Sequence, residues 1–377
     1  MRDPLRVGVV GCGGIAQMMH LPTLAERPDL FSIVAVADVD PKTLREVAQR
    51  YQVGFATRQT AELLARPGLE AVLLLASGSH ERVTLQALAA DKHVFVEKPV
   101  GFSLAEAENV ARASRGSRRV LMVGYHKRFD PHYRRARDVV RGLRGLRFVE
   151  VTVLHPDDGA YRTHHAILPA RRWSQRPEAK LDAAIRREAT TSPIAAALER
   201  SAGRGSSPAV RVATSMLFQS LIHDINALRG MLGEPEQVIS AHLWRAGMAQ
   251  TSLTRFRGEL RVSMSWVSLP GLKHYEESLL FASPDTRLKL VFPSPYLRHL
   301  PTSLTIERRE GQELVVERRT VSYEEAFRAE LHHFRDCVRR GRRPETGIED
   351  ALGDARWIQA IARRLTESEP ARPRRRG

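Results

Sequence analysis

An apolar run, Leu5-Arg6-Val7-Gly8-Val9-Val10, leads directly into Gly11-Cys12-Gly13-Gly14-Ile15-Ala16, and no other junction limits the fold as much. A β run feeding G-x-G-x-x-A and then a helix is the signature of a dinucleotide-binding turn. Gly11 allows the tight turn, Gly13 lets the backbone approach a pyrophosphate, and Ala16 permits close helix–strand packing. Gly14 and Ile15 lead into the helix, whose free N–H groups and positive dipole end suit phosphates. A second apolar run over 31–37 ends at Asp38. An acid there is the expected acceptor for the adenosine ribose hydroxyls, and it favours NAD because its charge repels a 2′-phosphate. Lys42 and Arg45 leave NADP open, and the bland alternative for Asp38 is a cap before Pro41.

The first 125 residues alternate strand and helix. Near-continuous apolar strands at 71–76, 93–96 and 120–125 predict a parallel sheet covered on both faces. Ligands of such sheets lie beyond the carboxyl ends of the strands. Ser77-Gly78, with His80 just beyond, Glu97-Lys98-Pro99 and Tyr125-His126-Lys127-Arg128 all follow strands, so they converge on one crevice. From 148 onward the pattern changes to short, closely spaced β runs, which predicts a mostly antiparallel sheet. The expected fold is therefore α/β: a Rossmann dinucleotide-binding domain over 1–125, then an α/β domain over 126–366 with an open, mostly antiparallel sheet. Residues 176–209, Ala-rich and broken by Pro193, read as an insertion: a lid, an oligomer arm or a surface excursion. Residues 367–377 read as a disordered basic tail. The face of the open sheet left bare by helices needs a partner, so a homodimer or homotetramer is expected.

Composition narrows the function. There are 59 Lys and Arg residues against 43 acidic ones, a net charge of +16. The basic residues are spread along the whole chain, with no basic stripe carrying interleaved aromatics, so nucleic acid is not an expected partner. What the charge does suggest is an anionic substrate or cofactor. Two cysteines form no disulfide framework, and no Cys/His spacing suggests a metal. With no apolar stretch long enough to span a membrane and no signal-peptide pattern before the first strand, the expected compartment is the cytoplasm.

Lys98 is the candidate general acid/base, because a desolvated lysine beside a nicotinamide has its pKa drawn toward useful values. On a predicted helix over 216–231, Gln219, His223 and Asn226 fall at i, i+4 and i+7, one polar stripe on an otherwise apolar helix. A structural histidine is the alternative for His223, a salt bridge with Glu97 for Lys98, and a solvated loop for Tyr125, His126 and Arg128.

In this order, the stretches GCGGIAQMMHLPTLAERPDL, VAVADVDP, ASGSHERVTLQALAADKHVFVEKPV, GYHKRFDP and HDINALRGMLGEP resemble the glucose–fructose oxidoreductase/inositol dehydrogenase (Gfo/Idh/MocA) family. The resemblance implies a Rossmann domain, a second α/β domain whose sheet mediates oligomers, and NAD- or NADP-dependent hydride transfer on sugars, cyclitols, amino sugars or nucleotide-linked sugars. It implies Lys98 and His223 as catalytic residues and Gln219, His126, Arg128 and Tyr125 as substrate contacts. The cofactor contacts would be Gly11, Gly13, Gly14, Ile15, Ala16, Asp38, Ser77, Gly78, His80, Glu97 and Lys98. The family's D-x-G-x-H-x-x-D pattern is broken here: its aspartates fall on Gln219 and Asn226 and its glycine on Leu221. Gln cannot relay a proton as Asp does, so a tyrosine elsewhere, Tyr161 or Tyr275, enters as a possible proton donor. Two other functions stay open. One is a tightly bound NAD recycled within a lyase or glycosidase reaction, which would give no net cofactor reduction. The other is a non-catalytic NAD(P)-binding regulator, which would turn over nothing.

Overall fold

The computed structural model describes residues 3–169 and 178–369. Six strands, β1 (Leu5–Val10), β2 (Phe31–Ala37), β3 (Ala56–Thr57), β4 (Ala71–Leu74), β5 (His93–Glu97) and β6 (Leu121–Gly124), form a parallel sheet in the order 3-2-1-4-5-6. Its central strands are apolar on both faces because helices cover both. Every residue of β4 and β6 is buried. The strand order reverses between β1 and β4, which opens a crevice at their carboxyl ends. Helix Pro41–Arg50 starts where Asp40 accepts a hydrogen bond from the Thr43 amide (3.0 Å), with proline in the first turn, where its missing N–H costs nothing. Asp40, rather than Asp38, is thus the cap.

Eight further strands form the second sheet: β7 (Phe148–His155), β8 (Gln237–Trp244), β9 (Ala249–Arg255), β10 (Arg261–Ser268), β11 (Glu276–Ala282), β12 (Thr286–Phe292), β13 (Ser303–Glu310) and β14 (Glu313–Arg319). Their order is 14-13-12-11-7-10-9-8, and all pairings are antiparallel except β7 with β10. Burial along β10 alternates residue by residue, as a sheet with one covered face requires. The C-terminal helix Ile348–Ser368 packs on both β8 and helix Leu104–Arg115, tying the two sheets together. From it the buried Trp357 donates through Nε1 to Thr254 Oγ1 on β9 (3.2 Å).

Two segments differ from the sequence expectation. The described part of 176–209 is integrated into the helical layer. Helices Glu178–Thr191 and Ala195–Ala202 break at Ser192-Pro193 and pack against helix Pro208–Met216. Ala197, Leu198 and Ala202 are buried, and Ser201 donates to the Phe102 carbonyl (2.9 Å). Burying a leucine such as Leu198 contributes about 1.5–3 kcal/mol, so this segment is held in the core and is not a surface excursion. The helix expected over 216–231 is the end of a longer one spanning 208–232, interrupted by a π-helical turn, Leu217–Leu221. Residues 370–377 of the expected basic tail lie outside the described residues.

Candidate functional site

The glycine turn is shaped for a close approach. Gly11 has φ +91°, and a Cβ on it would lie 2.4 Å from the Ala76 amide nitrogen, so only glycine fits. A Cβ on Gly13 would meet nothing within 4 Å, which leaves its outer side open. The Asp38 carboxylate accepts from the Cys12 amide (2.7 Å) and the Asp40 amide (2.9 Å). Two amides fix the carboxylate in place, and lone pairs remain on it for further donors. These features fit a dinucleotide.

Not every expected cofactor contact reaches this surface. His80 is buried, and its ring spans from the Pro99 carbonyl (2.8 Å) to the Ala76 carbonyl (2.7 Å). It therefore braces the loop carrying Ser77 and Gly78 against the loop carrying Lys98. Glu97 is buried too, with Oε1 2.7 Å from His20 Nε2. Beside this pair lies Glu330, fully buried, and neither of its carboxylate oxygens has a hydrogen-bond partner. Burial, then the nearby Glu97, pushes Glu330 well above the usual carboxyl range. A carboxyl raised on folding contributes nothing adverse below its unfolded pKa and loses stability as pH rises above it. Glu330→Gln should therefore gain stability over the parent by about 1.4 kcal/mol per pH unit above ~4.5, until the folded pKa is reached. Urea denaturation at several pH values checks this, and a pH-independent difference would contradict it.

Beyond the carboxyl ends of β5 and β6 lies a cleft of about 1020 Å³, mouth included. One wall carries Lys98, His126, Gln219 and His223, and the other Tyr275, Glu277 and His155. Lys98 Nζ donates to the backbone carbonyl of Gln219 (2.5 Å), which sits in the π-helical turn. Desolvation draws Lys98 down to about 8, with Glu97 opposing and Lys127 assisting. His223 and His126 are both held well below the usual histidine range, first by burial and then by neighbouring lysines. Their rings meet edge to face at 4.7 Å, and His126 stacks on Phe327 at 4.3 Å. A lysine near neutrality thus stands beside neutral imidazoles, an arrangement able to take up or release a proton.

The expected polar stripe is only partly realised. Gln219 and His223 line the cleft, but the Gln219 side chain donates to Ser215 Oγ (2.7 Å). Asn226, three residues beyond His223 in the regular helix Ile222–Leu232, is buried away from the cleft and donates to Asp354 (2.9 Å). Arg128 and Tyr125, expected at the substrate, also face elsewhere. Arg128 lies over Gly230, bonded to the Asn226 carbonyl (3.2 Å) and 3.7 Å from Asp350. Tyr125 is buried beside Asp354, and burial then Asp354 push its phenol well above the usual range. Of the two tyrosines, Tyr275 lines the cleft, whereas Tyr161 donates to the Lys273 carbonyl (2.8 Å) and accepts from the Tyr275 amide (2.6 Å).

On the far wall, sequence reasoning reached Tyr275 but missed the charged groups beside it. Glu277 is buried and accepts from Lys127 Nζ (2.5 Å), which also reaches Asp224 (2.7 Å). Burial and the adjacent Glu277 raise Asp224 to about 8, with the Lys127 ammonium opposing, so Lys127 is held within the trio by these two acidic side chains. Arg298, on the loop after β12, is likewise neutralised by Glu26 (2.9 Å) and Glu325 (3.1 Å). Among the described lining residues, Lys98 is the one Lys or Arg without a carboxylate at ion-pair distance. The available signal was the acidic pair Glu276-Glu277 in an otherwise apolar strand and the proline-rich run 293–301.

Comparison with known proteins agrees with the fold. Residues 5–125 match the family model described as "Oxidoreductase family, NAD-binding Rossmann fold". Over 137 residues the chain is 30% identical to a myo-inositol 2-dehydrogenase of Thermotoga maritima, covering 36% of this chain and 40% of the relative. Over 144 residues it is 35% identical to a dTDP-3,4-didehydro-2,6-dideoxy-α-D-glucose 3-reductase of Saccharopolyspora spinosa, covering 38% and 42%. The matched stretch thus spans about two-fifths of the length of these relatives. The whole fold is similar to that of a 3-ketoreductase from Actinomadura kijaniata solved with TDP-benzene and NADP, with TM-score 0.70 and 20% identity over 95% of this chain and 97% of that one. No helix among the described residues is long and apolar enough to cross a membrane.

Proposed function

Residues 5–125 match the Gfo/Idh/MocA oxidoreductase family model, and we propose that the chain is an NAD(P)-dependent dehydrogenase or reductase acting on a ring secondary alcohol or ketone of a sugar-like substrate. The observation that carries this reading is Lys98, drawn down to about 8 at the edge of a cleft beside the glycine turn. The nicotinamide, when bound, accepts or supplies the hydride. Gly11, Gly13 and Ala16 shape the pyrophosphate turn and Asp38 holds the ribose. Lys98 takes the hydroxyl proton in oxidation and returns it in reduction, while neutral His223 and His126 hold the substrate oxygens near it.

The family's known substrates support a carbohydrate or cyclitol, and the charges of the cleft argue that it is neutral. The lining holds four acidic side chains, Asp130, Glu277, Glu324 and Glu325, against the basic Lys98, Lys127 and Arg298, and two of those three cations are already paired. The anionic substrate suggested by net charge is not favoured. A homo-oligomer is part of the same reading, supported by exposed Leu314 and Val316 on β14.

The test is to identify any nucleotide released on denaturation by mass spectrometry. Titration with NADH and NADPH follows, then a turnover screen on myo-inositol, neutral aldoses and their uronic acids. Exchangeable cofactor and turnover on neutral members are expected. A nucleotide that never exchanges, with no net reduction, would favour the recycling reaction instead.

A further inference from the structure

The π-helical turn Leu217–Leu221 sits where the family pattern carries an aspartate and this chain carries Gln219. Gln219 brings no carboxylate to this turn, where the resemblance implies one. The structure does not replace it with the glutamine side chain, which is turned to Ser215 Oγ at 2.7 Å. It replaces it with backbone: Lys98 Nζ donates to the Gln219 carbonyl at 2.5 Å. A π turn holds one residue more than the α-helix it interrupts, so its carbonyls are drawn out of the usual i to i+4 pairing and turned toward neighbours. Such turns recur at functional sites for this reason. We propose that the π turn is a positioning device which sets the proton affinity of Lys98 through the Gln219 carbonyl, in place of the missing carboxylate.

The chemistry differs between the two acceptors. A carboxylate carries a full charge and holds a lysine firmly as ammonium, whereas a neutral carbonyl orients the ammonium and stabilises it less. The other groups around Lys98 are few. Glu97 adjoins it on β5, His126 and Lys127 follow β6, His223 lies one turn along the helix, and Glu277 faces from β11. Lys127 and Glu277 are bonded to each other, and both imidazoles are neutral. Desolvation sets the depressed range of Lys98, and the carbonyl is the direct hydrogen-bond contact that its ammonium makes within that range. The device suits a lysine that must change protonation state near neutral pH rather than remain a fixed cation.

This inference rests on Lys98 as the proton-handling group, but its test does not need turnover. Competitive acetylation with acetic anhydride across pH, read by mass spectrometry of the Lys98 peptide, gives the titration midpoint of that one amine. The parent should titrate near the depressed value, about 8. Deleting Ser220 lets the flanking helical segments stay in place while the turn relaxes to α-helix and withdraws the carbonyl. The midpoint should then fall by about one pH unit, since the ammonium loses a bond to its charged form. Gln219→Asp, with the turn intact, should raise it by a similar amount. If the deletion variant does not fold, an ester linkage at position 220, which weakens the Gln219 carbonyl as acceptor, should lower the midpoint in the same direction. A folded deletion or ester variant with an unchanged midpoint would overturn the proposal. Failure of the oxidoreductase reading is a separate outcome: the midpoint shifts as expected while the parent binds no NADH or NADPH.

Discussion

Lys98→Met is expected to lower kcat by about 10²–10⁴, the usual contribution of a positioned general acid or base, while NADH affinity changes little. Methionine keeps an unbranched apolar stem of similar reach, so the cleft wall stays filled and only the proton-transfer group is lost. The pH dependence fixes the sign. Lys98 acts as base in its neutral form, and its pKa is drawn down to about 8. In the parent, kcat/KM for alcohol oxidation should therefore rise with pH and level off above about 8. For ketone reduction, which needs the ammonium, it should be flat below about 8 and fall above it. Both limbs should vanish in the variant. Fluorescence titration of NADH together with pH–rate profiles in both directions measures this. An unchanged kcat, or a limb that survives, would remove Lys98 from the proton path.

The Rossmann half was legible because its constraints are local. A glycine forced by φ +91° and the backbone of Ala76 must be a glycine, and strands buried on both faces must be apolar runs. The second sheet was legible as strands through its alternation, but not in its strand order. The pairing of β7 with both β10 and β11 joins segments more than 100 residues apart, and nothing local encodes it. The site was legible where a motif fixes a loop end, as at Lys98, and illegible where a side chain's partner lies on a distant element. Gln219 and His223 line the cleft, whereas Asn226 is taken up by Asp354 on the C-terminal helix, 128 residues away. Arg128 and Tyr125 follow a strand into the crevice region, yet the side chains turn toward Asp350 and Asp354 on the C-terminal helix, more than 200 residues further along the chain. Integration of the described part of 176–209 was hidden for a similar reason: an Ala-rich helix reads as exposed or buried only once its neighbour is known.

The second large effect concerns stability and centres on Lys127. Its ammonium is buried with Asp224 at 2.7 Å and Glu277 at 2.5 Å, and the other Asp224 oxygen has no partner. Lys127→Met removes the only positive charge of the trio and leaves a buried carboxylate without a counter-ion, which costs about 3–5 kcal/mol. The ring of Phe292, over which the ammonium lies at 4.4 Å, gives no compensation for that charge. Asp224→Asn together with Glu277→Gln in the Lys127→Met background removes the stranded charge and should recover most of the loss, because replacing a whole buried cluster is far less costly than breaking it. The single variant should also regain stability as pH falls, since burial holds Asp224 above its unfolded value and a carboxyl raised on folding loses its adverse effect as it becomes neutral in acid. Chemical denaturation of the parent, the single and the triple variant at pH 5.5 and 8 decides the matter. A Lys127→Met protein as stable as the parent at pH 8, or a triple variant no better than the single, would mean that the ammonium does not hold this wall of the cleft together.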